Sequence, residues 1–224
     1  ALFRIASMTK AVTGMAAMML VEEGKLALDR PVDDLLPELA NRRVLRTIES
    51  ALGDTVPAKR AITLDDVMTF RLGLGFHPAL MRDVPIARAI AAGRIPGFGP
   101  PDPTLPYGSG EFMRRAGSLP LMAQPGEAWL YSLGSNVLGV MVERASGMAL
   151  GDFMAERIFR PLGMVDTAFY APSEKHARLA AGYRREGDKV VLSDDPANSD
   201  WGHPPAFAAG DAGRVAGHRR SRCS

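Results

Sequence analysis

The stretch Phe3-Arg4-Ile5-Ala6-Ser7-Met8-Thr9-Lys10, running into the apolar segment Ala11–Val21, decides how the rest of this 224-residue chain is read. Its spacing predicts a helix that starts near Ser7 and stops at Gly24. Positions i and i+3 of a helix share a face, so the Ser7 hydroxyl and the Lys10 amine meet. A serine hydroxyl is a weak nucleophile at neutral pH, and an adjacent base that takes its proton activates it. Lysine serves as that base when its pKa falls. The positive end of the helix dipole and partial burial both push it that way. The plainer reading is that Ser7 is a helix N-cap. Against it, the residue three beyond a capping serine is commonly Glu or Gln, and here it is Lys10. Ser-x-x-Lys alone is weak, since a chain of this length holds about one chance match. Of Lys10, Lys25, Lys59, Lys175 and Lys189, only Lys10 has a serine at that offset.

With 46% hydrophobic residues the chain can bury the core of one domain, or of a large piece of one. The net charge of +2 is set by the tail: Arg214, Arg219, Arg220 and Arg222 lie in residues 212–224 without an acid. The remaining residues carry 23 basic against 25 acidic side chains, so no basic face for nucleic acid is expected. Cys223 is the single cysteine, which excludes an internal disulfide framework. No run reaches the 18 or so apolar residues of a membrane-spanning helix. Arg4, Lys10 and Ala11–Val21 imitate a signal peptide, but Glu22-Glu23-Gly24-Lys25 stands where a small-residue cleavage site belongs. The chain begins without Met and in mid-pattern, so the expectation is that its true N-terminus is missing. The compartment is not fixed.

Val12, Met15, Met18 and Met19 form a helical stripe expected to face the core. Lys25–Pro37 reads as a turn and a short helix, and Arg42, Arg43 and Arg46 as a surface face. Ile62–Met68 reads as a helix entry capped at Thr63. Residues 95–108 are dense in Pro and Gly and read as a long structured loop of the lid kind. Short helices are expected over Glu111–Leu121, Asn136–Arg144 and Phe153–Phe159, the last two stopped by Gly147 and Pro161. Tyr183–Leu192 reads as a hairpin around Gly187-Asp188. His77, His176, His203 and His218 lack metal-ligand spacing, and no phosphate-binding glycine loop or Gly-x-Ser-x-Gly elbow is present. No cofactor and no metal are expected.

Four ordered segments carry a resemblance. Phe3–Lys10, followed by its apolar helix and Glu23-Gly24-Lys25-Leu26, resembles the first motif of the serine β-lactamase and penicillin-binding-protein family, most of all its class C and esterase branch. Ile62–Met68 resembles the segment after that family's first helical hairpin. Pro125-Gly126-Glu127, Tyr131-Ser132, Leu138-Gly139 and Glu143–Gly147 resemble its second motif and the helix behind it. Pro161–Thr167 is similar to a further turn of the same branch. The resemblance spans residues 2–213 and implies an α+β fold: a helical lobe and an antiparallel sheet with the site between them. It implies Ser7 as nucleophile, with Lys10 and Tyr131 moving its proton. The Ser7 backbone N–H would be a first oxyanion donor, and a small-molecule acyl substrate would be attacked. Alone, Tyr131 reads more readily as a buried core tyrosine; Ser7 and Lys10 in register turn the reading toward the site.

Two departures shape the expectations. The second motif of β-lactamases usually ends in Asn, and Leu133 stands there, which favours an esterase over a β-lactamase or D-Ala-D-Ala peptidase. Ser135-Asn136 follows in another register. The family's third motif, on a late β-strand, has no counterpart; Trp201-Gly202-His203 comes early and precedes Pro204-Pro205, as a loop would. The expectation is a truncated or frame-shifted product: a partial hydrolase domain over 1–213, then a basic tail over 214–224. The C-terminal sheet strands would be missing. Such a chain would leave apolar surface bare and tend to self-associate. An inactive fragment that binds or scaffolds is the competing class. The esterase reading favours the cytoplasm slightly.

Overall fold

A computed structural model describes residues 1–99, 101–212 and 215–217 of the chain. Strand β1 (Leu2–Arg4) pairs antiparallel with the late strand formed by Val215–Gly217, with Phe3 opposite Ala216. The boundary expected at Gly213 thus precedes residues that rejoin the first strand. Gly213, Arg214 and the tail from His218 to Ser224 lie outside the described residues. On its other side Leu2 bridges to Leu179, and its carbonyl accepts the Ala180 N–H at 2.8 Å.

Helix α1 (Thr9–Glu22) follows a short turn and ends at Gly24, whose φ of 70° closes it in the left-handed region. Its buried residues are Thr9, Thr13, Ala16, Ala17 and Leu20. The expected methionine stripe is therefore not the core face: Met15 is 48% and Met18 37% exposed, and Val12 and Met19 are only partly buried. The reason is the neighbour. α1 packs along the central helix, Leu133–Ser146, and a face of small residues lets the two backbones approach. Phe3 and Met8 are exposed as well.

The segment after α1 departs from expectation too. Instead of a helix over 25–37 there are turns, with a single 3₁₀ turn at Pro37–Leu39. Its backbone is taken by a neighbour: Val32 N–H donates to Ile62 O at 2.9 Å, and Leu28 O accepts from Asp65 N at 2.9 Å. Strands β2 (Arg43–Leu45) and β3 (Thr55–Pro57) make a second antiparallel pair. Arg42, expected at the surface, is half-buried, and its guanidinium donates to the Gly117 and Leu119 carbonyls.

Helix α2 (Leu64–Met68) is capped as read. Thr63 Oγ1 accepts the Asp66 N–H at 3.3 Å, and Asp66 Oδ2 accepts the Thr63 N–H at 3.0 Å. Asp66 is 2% exposed and paired with the Arg60 guanidinium, Nη2 to Oδ1 at 2.8 Å. Asp66→Ala removes the carboxylate half of the box and the ion pair together and is expected to cost about 2–3 kcal/mol in urea denaturation. A loss under about 0.5 kcal/mol would show that the box is ornamental.

Helices α3 (Pro85–Ala92) and α4 (Ser109–Ser118) flank the Pro/Gly-rich loop. The central helix α5 (Leu133–Ser146) is buried continuously from Leu133 to Val142. α6 (Leu150–Met154) runs on as a wider turn over Ala155–Phe159 before Pro161. The hairpin is β4 (Gly182–Glu186) with β5 (Lys189–Asp194), and Val215–Gly217 is β6. Trp201 and Gly202 lie in a 3₁₀ turn, Asp200–Gly202, that His203 follows, not on a strand. The described chain is thus a helical body with small antiparallel sheets, the α+β class expected. None of its described helices is long and apolar enough to cross a membrane.

Candidate active site

Ser7 sits in a 3₁₀ turn, Ala6–Met8, that joins β1 to α1. Ala6 before it has φ 42°, a left-handed conformation that side chains rarely adopt. The turn lifts Ser7 into solvent. It is not the helix cap: the residue preceding α1 is Met8, and no side chain caps that end. Lys10, the second residue of α1, reaches back so that Nζ donates to Ser7 Oγ at 3.2 Å. The same nitrogen donates to the main-chain carbonyl of Asp211 at 2.7 Å and stands 4.7 Å from the centroid of the Tyr131 ring. The three residues picked out in the sequence therefore meet. The Tyr131 hydroxyl has no hydrogen-bond partner among the described residues; the ring face, not the hydroxyl, touches Lys10.

Tyr131 is held from both sides of its backbone. Its carbonyl accepts the Phe76 N–H at 2.8 Å across an isolated antiparallel bridge. That approach needs Gly75, where a Cβ would lie 2.3 Å from Leu130 O. The following residue, Ser132, has φ 82° and ψ −56°, and Leu133 N–H closes onto Tyr131 O at 3.2 Å. This is a γ-turn of the strained hand, which costs on the order of 1–3 kcal/mol and persists only where surroundings impose it. Phe70 and Trp129 pack the ring, each with its centroid 5.5 Å from that of Tyr131.

Sequence reading missed Asp211 and gave Ser132 no role. Ser132 Oγ donates to Asp211 Oδ2 at 2.9 Å, and Asp211 N–H donates to Asn136 Oδ1 at 3.1 Å. Asp211 is 3% exposed and Asn136 fully buried. Asn136 thus serves Asp211, while Leu133 packs in the core. The available signal was a lone acid in Phe207-Ala-Ala-Gly-Asp211-Ala-Gly213, a place where a carboxyl is retained only if it is bonded. Burial pushes the Asp211 carboxyl above the ordinary range, against the opposing pull of the Lys10 ammonium and the Ser132 hydroxyl. The folded state then holds its proton more tightly than the unfolded chain. Stability falls as pH rises from the unfolded carboxyl value, about 4, through the raised native one. Asp211→Asn carries no such proton. Its melting temperature relative to the unsubstituted chain is expected to climb as pH rises above about 4; a flat difference would contradict the shift.

A cavity of about 280 Å³ opens here, lined among others by Ser7, Lys10, Phe76, Phe98, Tyr131 and Asp211. Gly97, Gly99 and Pro101 of the Pro/Gly loop also border it, so that loop forms part of its wall. A larger cavity of about 420 Å³, between Arg42, Arg43 and Arg60, shares none of these residues. Among the described residues no group of His, Cys, Asp and Glu is arranged to hold a metal ion.

A family model described as Beta-lactamase matches residues 1–217. Protein Rv1367c of Mycobacterium tuberculosis is 38% identical over 214 residues, which cover 95% of this chain and 50% of the relative. The lovastatin esterase of Penicillium rubens is 36% identical over 177 residues, covering 78% of this chain and 41% of the relative. Among solved structures, a simvastatin synthase variant from Aspergillus terreus superposes with TM-score 0.70 at 27% identity, over 96% of this chain and 49% of that one. The chain spans about half the length of the curated relatives it matches.

Proposed function

Since this chain belongs to the β-lactamase family, we propose that it carries the nucleophilic half of a serine hydrolase acting on small acyl esters. Ser7 Oγ attacks the acyl carbonyl, and its proton passes to Lys10 and Tyr131 as a pair. The Ser7 N–H, in the turn that precedes α1, stabilises the oxyanion. Collapse expels the alcohol, which takes the proton, and leaves an acyl-enzyme on Ser7. Water then enters by the same route and releases the acid. The observation that carries this reading is the Lys10 Nζ to Ser7 Oγ contact of 3.2 Å at the mouth of an aromatic-walled cavity.

An ester, not a lactam, is supported by Leu133, fully buried where an amide would grip a β-lactam side chain. The name of the Penicillium relative, an esterase, points the same way. Acyl transfer is the second reading, favoured by a relative from Aspergillus terreus named monacolin J acid methylbutanoyltransferase, 31% identical over 199 residues. The acyl-enzyme would pass its acyl group to an alcohol instead of to water. The test is p-nitrophenyl butyrate hydrolysis with nitrocefin in parallel, with and without a small alcohol. Ester turnover without nitrocefin turnover is expected. Faster nitrocefin turnover would overturn the esterase assignment. A folded sample that turns over neither would establish the non-catalytic alternative.

A further inference from the structure

Asp211 touches the first motif with one group and the second motif with another. Its main-chain carbonyl takes the Lys10 amine at 2.7 Å. Its carboxyl takes the Ser132 hydroxyl at 2.9 Å. Its N–H is tied to Asn136 at 3.1 Å, so the residue cannot slide along α5. Gly210 beside it anchors to α1, where Thr13 Oγ1 donates to the Gly210 carbonyl at 2.8 Å. Ser132 is the centre of a turn with φ 82°, a conformation that the chain alone does not hold. The carboxyl is therefore bonded to the strained residue next to Tyr131.

We propose that Asp211 is a positioning residue for both proton-handling side chains: its carboxyl clamps the Ser132 turn that lays the Tyr131 ring against Lys10, while its carbonyl aims the Lys10 amine at Ser7. The inference rests on the reading of Ser7, Lys10 and Tyr131 given above. If Ser132 relaxes to negative φ, the chain on one side or the other of its N–Cα bond must reorient. Tyr131 O stays pinned by Phe76, so the ring moves instead and leaves Lys10. Removing the carboxyl leaves the carbonyl in place, so Asp211→Ala isolates the Tyr131 arm.

The test compares Ser7→Ala, Asp211→Ala, Ser132→Ala and Asp211→Asn in the full chain with p-nitrophenyl butyrate. Asp211→Ala and Ser132→Ala are each expected to lower kcat by about 30- to 100-fold, the scale set by misplacement of a catalytic group, with KM changed less than about threefold. The double variant should be no worse than either single one, because both remove the same bond. Asp211→Asn should regain at least about a third of the kcat, since its amide oxygen still accepts the Ser132 hydroxyl. Unchanged kcat in Asp211→Ala, with Ser7→Ala inactive, overturns this inference alone. Retained turnover in Ser7→Ala overturns the reading beneath it. A second readout needs no turnover: in a Trp201→Phe background, near-ultraviolet circular dichroism reports the Trp129–Tyr131 stack. The signal should change in Asp211→Ala and Ser132→Ala and survive in Asp211→Asn. A signal unaltered by the two alanines overturns the clamp.

Discussion

Ser7→Ala is expected to lower kcat for p-nitrophenyl butyrate by at least about 10³-fold, the loss that follows removal of a covalent nucleophile. Its folding free energy should change by less than about 0.5 kcal/mol. The contrast comes from the site. Ser7 is exposed, caps no helix, and takes one side-chain hydrogen bond, from Lys10. Nothing in the core depends on its hydroxyl. Loss of activity with stability intact therefore reads chemistry, not folding. Activity within tenfold of the unsubstituted chain would remove Ser7 from the mechanism, and Lys10 and Tyr131 with it.

Gly210→Ala is the second large effect, and it arises from space. A Cβ at Gly210 would stand 2.2 Å from the Ser135 carbonyl oxygen and 3.1 Å from Thr13 Cγ2. Both neighbours belong to packed helices, α5 and α1, and the first is backbone, so the 210–212 segment must move instead. The cost is expected to be about 3 kcal/mol, at the upper end for overpacking. The displaced segment includes Asp211, whose carbonyl receives Lys10, so kcat should fall by about 10²-fold as well. Gly14 supplies the control: it lies in α1 with nothing within 4 Å of its would-be Cβ. Gly14→Ala should gain about 0.5–1 kcal/mol from helix propensity. Urea denaturation of both variants checks the pair. Equal stability in the two would refute the close approach of segment 210–212 to the helices.

Much of the helical body was legible because local signals coincide with tertiary ones there. Thr63 and Asp66 make their capping box from residues three apart, and Gly147 and Pro161 stop helices where they stand. The hairpin turns at Gly187, φ 58°, with strands one or two residues longer than read. Where the reading failed, a distant partner decided the outcome. The methionine stripe of α1 looked like a core face, but the central helix selects the side bearing Thr13, Ala16 and Ala17, against which it can pack closely. The short helix over 25–37 lost its backbone donors and acceptors to residues 62–65. Arg42 was read as solvated because nothing local shows the carbonyls of Gly117 and Leu119 arriving beside it.

The site divides in the same way. Ser7 and Lys10 meet through a spacing of three, which periodicity predicts. Tyr131 joined them by resemblance, at a separation no local rule spans. Asp211 lies 201 residues beyond Lys10 and acts through a main-chain carbonyl, a group that every residue owns. Its side chain was the clue, a single acid in a Gly- and Ala-rich stretch. Only the fold connects that acid to the strained turn at Ser132.

The central claim is that Ser7 becomes covalently acylated. The most direct measurement is mass spectrometry of the chain after reaction with a fluorophosphonate, followed by tryptic digestion. One adduct is predicted, on the peptide Ile5–Lys10, and absent from Ser7→Ala. An adduct on any other peptide, or one that persists in Ser7→Ala, would contradict the account.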